Sequence, residues 1–203
     1  MTYKLAGNID FPVYSGVKCY MMPFIQGVRD SLPDFLFHYG EAIERLSFDG
    51  EKGKVGFVTI DESFVNAGKS QRGYGAKERT LHTEACLSEN LVSWGPSWGS
   101  DSGIFLEPTV RAKIVNSIDD TCMVWNSDVF DTTADGDLSE RADQFPRSAG
   151  KMMKAGEVFD IGIWTPHECI EQVESGFRQF MRVVGNGVKN VGPNFTVNPK
   201  VAF

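Results

Sequence analysis

The sequence predicts a mainly β chain of the α+β kind, with one N-terminal helix packed on the strands. Three observations predict it. The 203 residues include 21 glycines and 15 phenylalanines, a balance that suits short strands and tight turns better than a helical bundle. The apolar runs are short and are separated by clusters of Gly, Pro, Asn and Asp. One stretch near the N-terminus repeats its apolar residues at the spacing of a helix face. Hydrophobic residues make up 41% and charged residues 23%, which supplies a core and argues against wholesale disorder.

The elements follow in order. Val17 to Phe24 is apolar and reads as a strand. Ser31 and Pro33 mark the helix start, Phe35, Leu36, Tyr39, Ala42, Ile43 and Leu46 share one face, and Asp49-Gly50 ends it. Lys54 to Ile60 (KVGFVTI) is a strand, and the Gly-, Lys- and Ser-rich Ala67 to Lys77 is a loop. Leu81 to Trp94 is extended, and Trp94 to Gly103 (WGPSWGSDSG) is loop. Thr109 to Val115 and Thr121 to Trp125 are strands joined through Asn116 to Asp120. A polar excursion spans Asn126 to Gly150, and Val158 to Trp164 is a further strand. Residues 1–203 read as a single domain: an N-terminal strand and helix (1–50), a core (51–184) and an irregular tail (185–203).

Thr165 to Val184 admits two readings. Thr165-Pro166-His167-Glu168 fits a capping box, and Ile170, Val173, Phe177, Met181 and Val184 fall at helical spacing. Equally, Glu174-Ser175-Gly176 is a turn signal, and Arg178, Phe180, Arg182 and Val184 alternate as in a strand. Gly176 in mid-helix would cost about 1 kcal/mol relative to alanine.

Charge and composition bound the partners. The net charge is −7 and the pI about 5.0, a balance that repels phosphate backbones and disfavours nucleic acid as the main partner. No run approaches the roughly 20 apolar residues of a membrane helix. The N-terminus MTYKLAGNID has no apolar segment of a secretory signal, which points to the cytoplasm. Cys19, Cys86, Cys122 and Cys169 match no structural zinc spacing and read as small, reduced core residues. Oligomeric state is not readable.

The chemistry-bearing residues are few. Of three histidines, His38 lies on the helix and reads as structural or solvent-facing. His82-Thr83-Glu84 puts an imidazole and a carboxylate two apart, which on a strand places both on one face. His167 follows the apolar run Gly156 to Trp164. Two histidines and one carboxylate form the facial triad of non-haem iron(II), with positions left open for a co-substrate and dioxygen.

This pattern resembles the 2-oxoglutarate/iron(II)-dependent dioxygenase superfamily. The family carries His-x-Asp/Glu on an early core strand, a distal histidine several tens of residues later, and a basic residue about ten further on. Here these are His82-x-Glu84, His167 and Arg178, with Arg182 one step along the same face. The resemblance covers about Val55 to Val184, and Glu84 stands where most members have aspartate. It implies a double-stranded β-helix, a jelly roll of cupin type, with iron(II) on His82, Glu84 and His167. It implies 2-oxoglutarate as cofactor, its far carboxylate on Arg178 with help from Arg182, and hydroxylation of a small-molecule or peptide substrate. The alternative is a non-catalytic binding or structural protein on the same fold.

Two loops are candidates for substrate contact: Gly68 to Gly75, with Arg72 and Tyr74, and Trp94 to Gly103, with Trp94 and Trp98. Trp125 and Asn126 are candidates for the pocket wall, against a plain core role for Trp125. Asp131 to Asp137 has the opening of a calcium loop, but Ala142 stands where the twelfth-position glutamate is needed.

Overall fold

The computed structural model describes residues 2–71, 79–88, 91–94, 107–132, 136–189 and 195–203, with 86–88 and 91–94 described by their backbone alone. Within them lie the strands β1 (Tyr3–Asn8), β2 (Lys18–Ile25), β3 (Val55–Val65), β4 (Ala85–Ser88), β5 (Leu91–Trp94), β6 (Arg111–Asn116), β7 (Cys122–Val124), β8 (Lys151–Met152), β9 (Glu157–Gly162), β10 (His167–Cys169) and β11 (Gly176–Val184). A six-stranded antiparallel sheet runs in the order β1-β9-β6-β11-β3-β2. A three-stranded antiparallel sheet runs β10-β7-β8, and β4 pairs with β5. Bridges from His82 to His167 and to Asp137 extend the smaller sheet past β10. The chain is mainly β with few helices, as expected. No helix among the described residues is long and apolar enough to cross a membrane.

From β3 onward the chain passes back and forth between the two sheets. β3 lies in the large sheet and the His82 segment beside the small one; β6 is large, β7 and β8 small, β9 large, β10 small and β11 large. The period of two along each strand then sorts the core into layers. Ala112, Ile114, Phe159, Ile161 and Val184 from the large sheet meet Cys122 and Val124 from the small one. Val58, Ile60, Val115, Val158, Met181 and Val183 face the other way, onto the helical segment. Leu81, Met123, Trp125, Leu138 and Phe145 form a third cluster behind the small sheet.

One expectation is corrected, one open reading is decided, and two strands are added. The N-terminal helix is broken into 3-10 turns at Arg29–Ser31 and Asp34–Tyr39, followed by α1 (Gly40–Leu46). The aromatic-rich run winds at three residues per turn, which stacks Leu36 on Tyr39, both buried. Phe35 therefore leaves the apolar face and is 46% exposed. Thr165 to Val184 is the extended arrangement and not the helix: β10, a turn, then β11, with Gly176 at the strand start. As a central strand β11 hydrogen-bonds β3 on one side and β6 on the other, a gain that outweighs helical propensity. β1 and β8 are strands the sequence did not announce. β1 is an exposed edge with no apolar alternation, and β8 has only two residues.

Candidate functional site

Of the sequence-predicted residues, His82, Glu84, His167, Arg178 and Arg182 meet between the sheets. His82 and His167 face each other in a hydrogen-bonded antiparallel pair, each backbone N–H donating to the other's carbonyl at 2.9 Å. Directly opposed residues share a face, so the two imidazoles lie side by side, ring centroids 4.0 Å apart. Glu84, two residues past His82, emerges on the same face, its Oε1 3.5 Å from His167 Nε2. All three are buried.

Backbone carbonyls settle the tautomers. His82 Nδ1–H donates to the Thr80 carbonyl at 2.6 Å, and His167 Nδ1–H to the Thr165 carbonyl at 3.0 Å. A carbonyl only accepts, so in each neutral ring the lone pair sits on Nε2. Orientation of this kind, through the ring nitrogen that does not ligate, is how metal-binding histidines are held. The lone pair of His167 Nε2 facing a carboxylate oxygen is repulsive unless a proton or a metal cation lies there.

The segment carrying His82 and Glu84 is pinned from behind. Thr83 N–H donates to the Gly136 carbonyl at 2.9 Å. Gly136 sits at φ +72°, and a Cβ there would lie 2.6 Å from the Thr83 carbonyl oxygen. Only glycine combines that conformation with that approach. Glu168, between the two cavity-facing residues of β10, points to the opposite side. There it is wholly buried and takes hydrogen bonds from Arg79 at 2.5 and 3.0 Å and from Arg147 at 2.8 Å. Burial alone would push its carboxyl up; the two guanidinium groups outweigh that and hold it below the usual range.

β11 supplies the opposite wall. Arg178, Phe180 and Arg182 project from one face toward the small sheet, by the period of two. With Asp61, Gln71, Ile114, Cys122 and Cys169 they line a narrow cavity of about 30 Å³, which His82, Glu84 and His167 also line. The two arginines are both 1% exposed and differ in their partners. Arg182 Nη1 lies 2.8 Å from both Glu84 oxygens, and Nη2 donates to Thr59 Oγ1 at 3.3 Å. Arg178 Nη2 donates to Asn116 Oδ1 and, at 3.2 Å, to the Thr121 carbonyl. Its Nε and Nη1 have no hydrogen-bond partner among the described residues, and it pairs with no carboxylate there. A buried guanidinium facing neutral acceptors alone is costly, and an anion entering the cavity relieves it.

Iron(II) and 2-oxoglutarate can be tested against these residues. Two imidazoles presenting Nε2 beside a carboxylate are the donor set the ion takes. Arg178 is the planar fork a carboxylate takes. Glu84 is shared with Arg182, and among the described residues no group of three or more His, Cys, Asp or Glu stands ready to hold a metal ion. The donor chemistry fits, with Arg182 as an internal cation competing for Glu84.

Other expectations fall out differently. Trp125 does not line the cavity: it is packed against Phe145 behind the small sheet, with Arg79 over its ring and Nε1–H donating to the Pro146 carbonyl. β7 ends at Val124, and the wall it offers the cavity is Cys122. Asn126 instead accepts hydrogen bonds from Thr2. Arg72, Tyr74 and Trp98 lie outside the described residues; Trp94 ends β5, and its side chain is not described. In the calcium-loop stretch Asp131 is ion-paired with Arg141, and Asp137 accepts from Ser139 N–H, so these acids serve local structure.

The sequence did not flag Asp61, Asn116, Thr121 or Cys122 as part of the site. The basic loop does reach the cavity, through Gln71, whose Nε2 donates to the Asp61 carbonyl. A further buried carboxylate, Glu62, lies on the far face of β3. It accepts from Ser15 and Val17 N–H, Tyr39 Oη–H and Gln179 Nε2–H. Burial pushes its carboxyl up, but these donors hold it below the usual range; burial and Glu62 together keep Tyr39 protonated. His38, exposed as expected, touches Ser15 Oγ.

No protein-family model, curated protein or solved structure matches the chain.

Proposed function

We propose that the chain is a non-haem iron(II) oxygenase that uses 2-oxoglutarate and dioxygen to hydroxylate a small-molecule or peptide substrate, on a double-stranded β-helix core of cupin type. The strand order supports the fold. β11 sits between β3 and β6 in the large sheet, β10 sits between the His82 segment and β7 at the small one, and the chain alternates between them. The observation that carries the function is the shared cavity. It has the paired imidazoles of His82 and His167 with Glu84 on one wall, and on the other Arg178, which pairs with no carboxylate among the described residues.

The roles follow from these positions. His82, Glu84 and His167 hold the iron. Bound there with 2-oxoglutarate, iron(II) supplies the dioxygen-activating chemistry, the cosubstrate being decarboxylated as the substrate is hydroxylated. Arg178 holds the far carboxylate of 2-oxoglutarate, and Asn116 and the Thr121 carbonyl fix its guanidinium. Arg182 orients Glu84 and balances its charge. Ile114 and Phe180 keep that end of the cavity dry.

Calorimetry with manganese(II) as a redox-silent stand-in tests the reading. The wild type binds 2-oxoglutarate when manganese is present. Arg178→Met keeps manganese and loses about 10–100-fold in 2-oxoglutarate affinity, the worth of charge-assisted hydrogen bonds. Absence of 2-oxoglutarate binding in the wild type, or an unchanged affinity in the variant, contradicts it. A second reading, a non-catalytic protein on this fold, draws on the Arg182–Glu84 pair, which neutralises the carboxylate without a metal. It requires that no divalent ion bind at His82 and His167.

A further inference from the structure

Cys122 and Cys169 occupy directly opposed positions on β7 and β10. The ladder around them shows which kind of pair they form. Ile170 N–H donates to the Thr121 carbonyl and Trp125 N–H to the Pro166 carbonyl, so the ladder bonds fall on alternate residues and skip Cys169. The backbone groups of Cys169 turn to the other side, where its N–H donates to Thr80 Oγ1 and its carbonyl accepts from the same hydroxyl. The carbonyl of Cys122 likewise turns outward, to Met153 N–H.

Cys122 and Cys169 are therefore a non-hydrogen-bonded pair, the closer of the two antiparallel arrangements, with Cα atoms typically about 4.5 Å apart. That spacing falls inside the roughly 4.4–6.8 Å window of disulfides. Both side chains point into the cavity, Cys122 buried and Cys169 half-buried. Cys19 lies on the far side of the large sheet, in the layer against the helices, out of reach of both.

We propose that Cys122 and Cys169 are a redox-active dithiol that closes into a cross-strand disulfide in the cavity wall, with hydrogen peroxide as oxidant. The more accessible Cys169 attacks the peroxide O–O bond, forming Cys169–SOH and releasing water. Cys122 sulfur then attacks the Cys169 sulfur. The S–S bond forms, the S–O bond breaks, and hydroxide leaves with the Cys122 proton as a second water. Each sulfur loses one electron, and the peroxide oxygens gain both. The link ties β7 to β10 two residues past His167, so the oxidation state of this pair sets the rigidity of the wall that carries that imidazole. The proposal stands on strand register and does not rest on the oxygenase reading.

The test is hydrogen peroxide treatment of the folded, metal-free chain, followed by digestion without reductant and mass spectrometry. A linked peptide pair containing Cys122 and Cys169 is expected, lighter than the two free peptides by two hydrogens and reopened by dithiothreitol. Cys169→Ser leaves Cys122 reduced; if that variant does not fold, the wild-type peptide map decides alone. The proposal is overturned if both thiols stay reduced, if Cys169 runs on to a sulfinic acid with Cys122 untouched, or if either links to Cys19 or Cys86.

Discussion

Arg182 and Glu84 form a closed ion pair in the interior: Nη1 of the arginine lies 2.8 Å from each carboxylate oxygen, and neither side chain is more than a few per cent exposed. β11 and the His82 segment lie in opposite layers, so the pair ties the two sheets together through charge. It also places a permanent cation on the carboxylate that the proposed iron site needs.

Breaking the pair from one side strands a buried charge. Arg182→Met is expected to destabilise the fold by about 3–5 kcal/mol, read from urea unfolding. Adding Glu84→Gln to that variant is expected to recover part of the loss, because it removes the unpaired carboxylate. A double variant no better than the single one would mean that Arg182 acts through packing alone.

Gly136 fixes the strand that carries the site. Gly136→Ala puts a methyl carbon against the Thr83 carbonyl, at a φ that side chains avoid. A loss of about 1–3 kcal/mol is expected. The His82 and His167 ring resonances are expected to move in the NMR spectrum. Unshifted rings would show that the Thr83 segment adjusts independently of the site.

Acid stability rests on Glu62 and Glu168. Both carboxyls are held below their usual range in the folded chain, by their hydrogen-bond donors in the one case and by Arg79 and Arg147 in the other. Between the folded and unfolded values the unfolded chain binds more protons, so stability rises with pH across that window. The contribution is complete above the ordinary glutamate value of about 4.3 and is lost as pH falls through the depressed values. Glu62→Gln is expected to flatten the acid limb of a stability–pH curve, leaving the part due to Glu168. An acid limb unchanged in both Glu62→Gln and Glu168→Gln would refute this assignment.

The part of the site that was legible in the sequence is the part strand geometry writes into spacing. His82-x-Glu84 and Arg178-x-Phe180-x-Arg182 each put polar groups on one face at a period of two, and the structure keeps both sets facing one cavity. What the sequence left open depends on register. Asp61, Asn116, Thr121 and Cys122 carry no motif; they reach the site because β3 and β6 flank β11 and β7 flanks β10. The stretch from Thr165 to Val184 fits a period of two and a helical face equally well, and only its hydrogen-bonding neighbours decide between them. Trp125 takes the plain core role of its two readings. It ends the apolar run Thr121–Trp125, yet faces Phe145 and Arg79 behind the sheet.

The oxygenase reading is tested most directly by anaerobic titration of the metal-free chain with iron(II) and then 2-oxoglutarate, followed by visible absorption. The account predicts a charge-transfer band of a chelated iron–oxoglutarate complex in the wild type. The band should be lost in His82→Ala, with the variant's fold checked by circular dichroism. A folded wild type that gives no band would contradict the account and leave His82, Glu84 and His167 as a buried polar cluster of structural purpose.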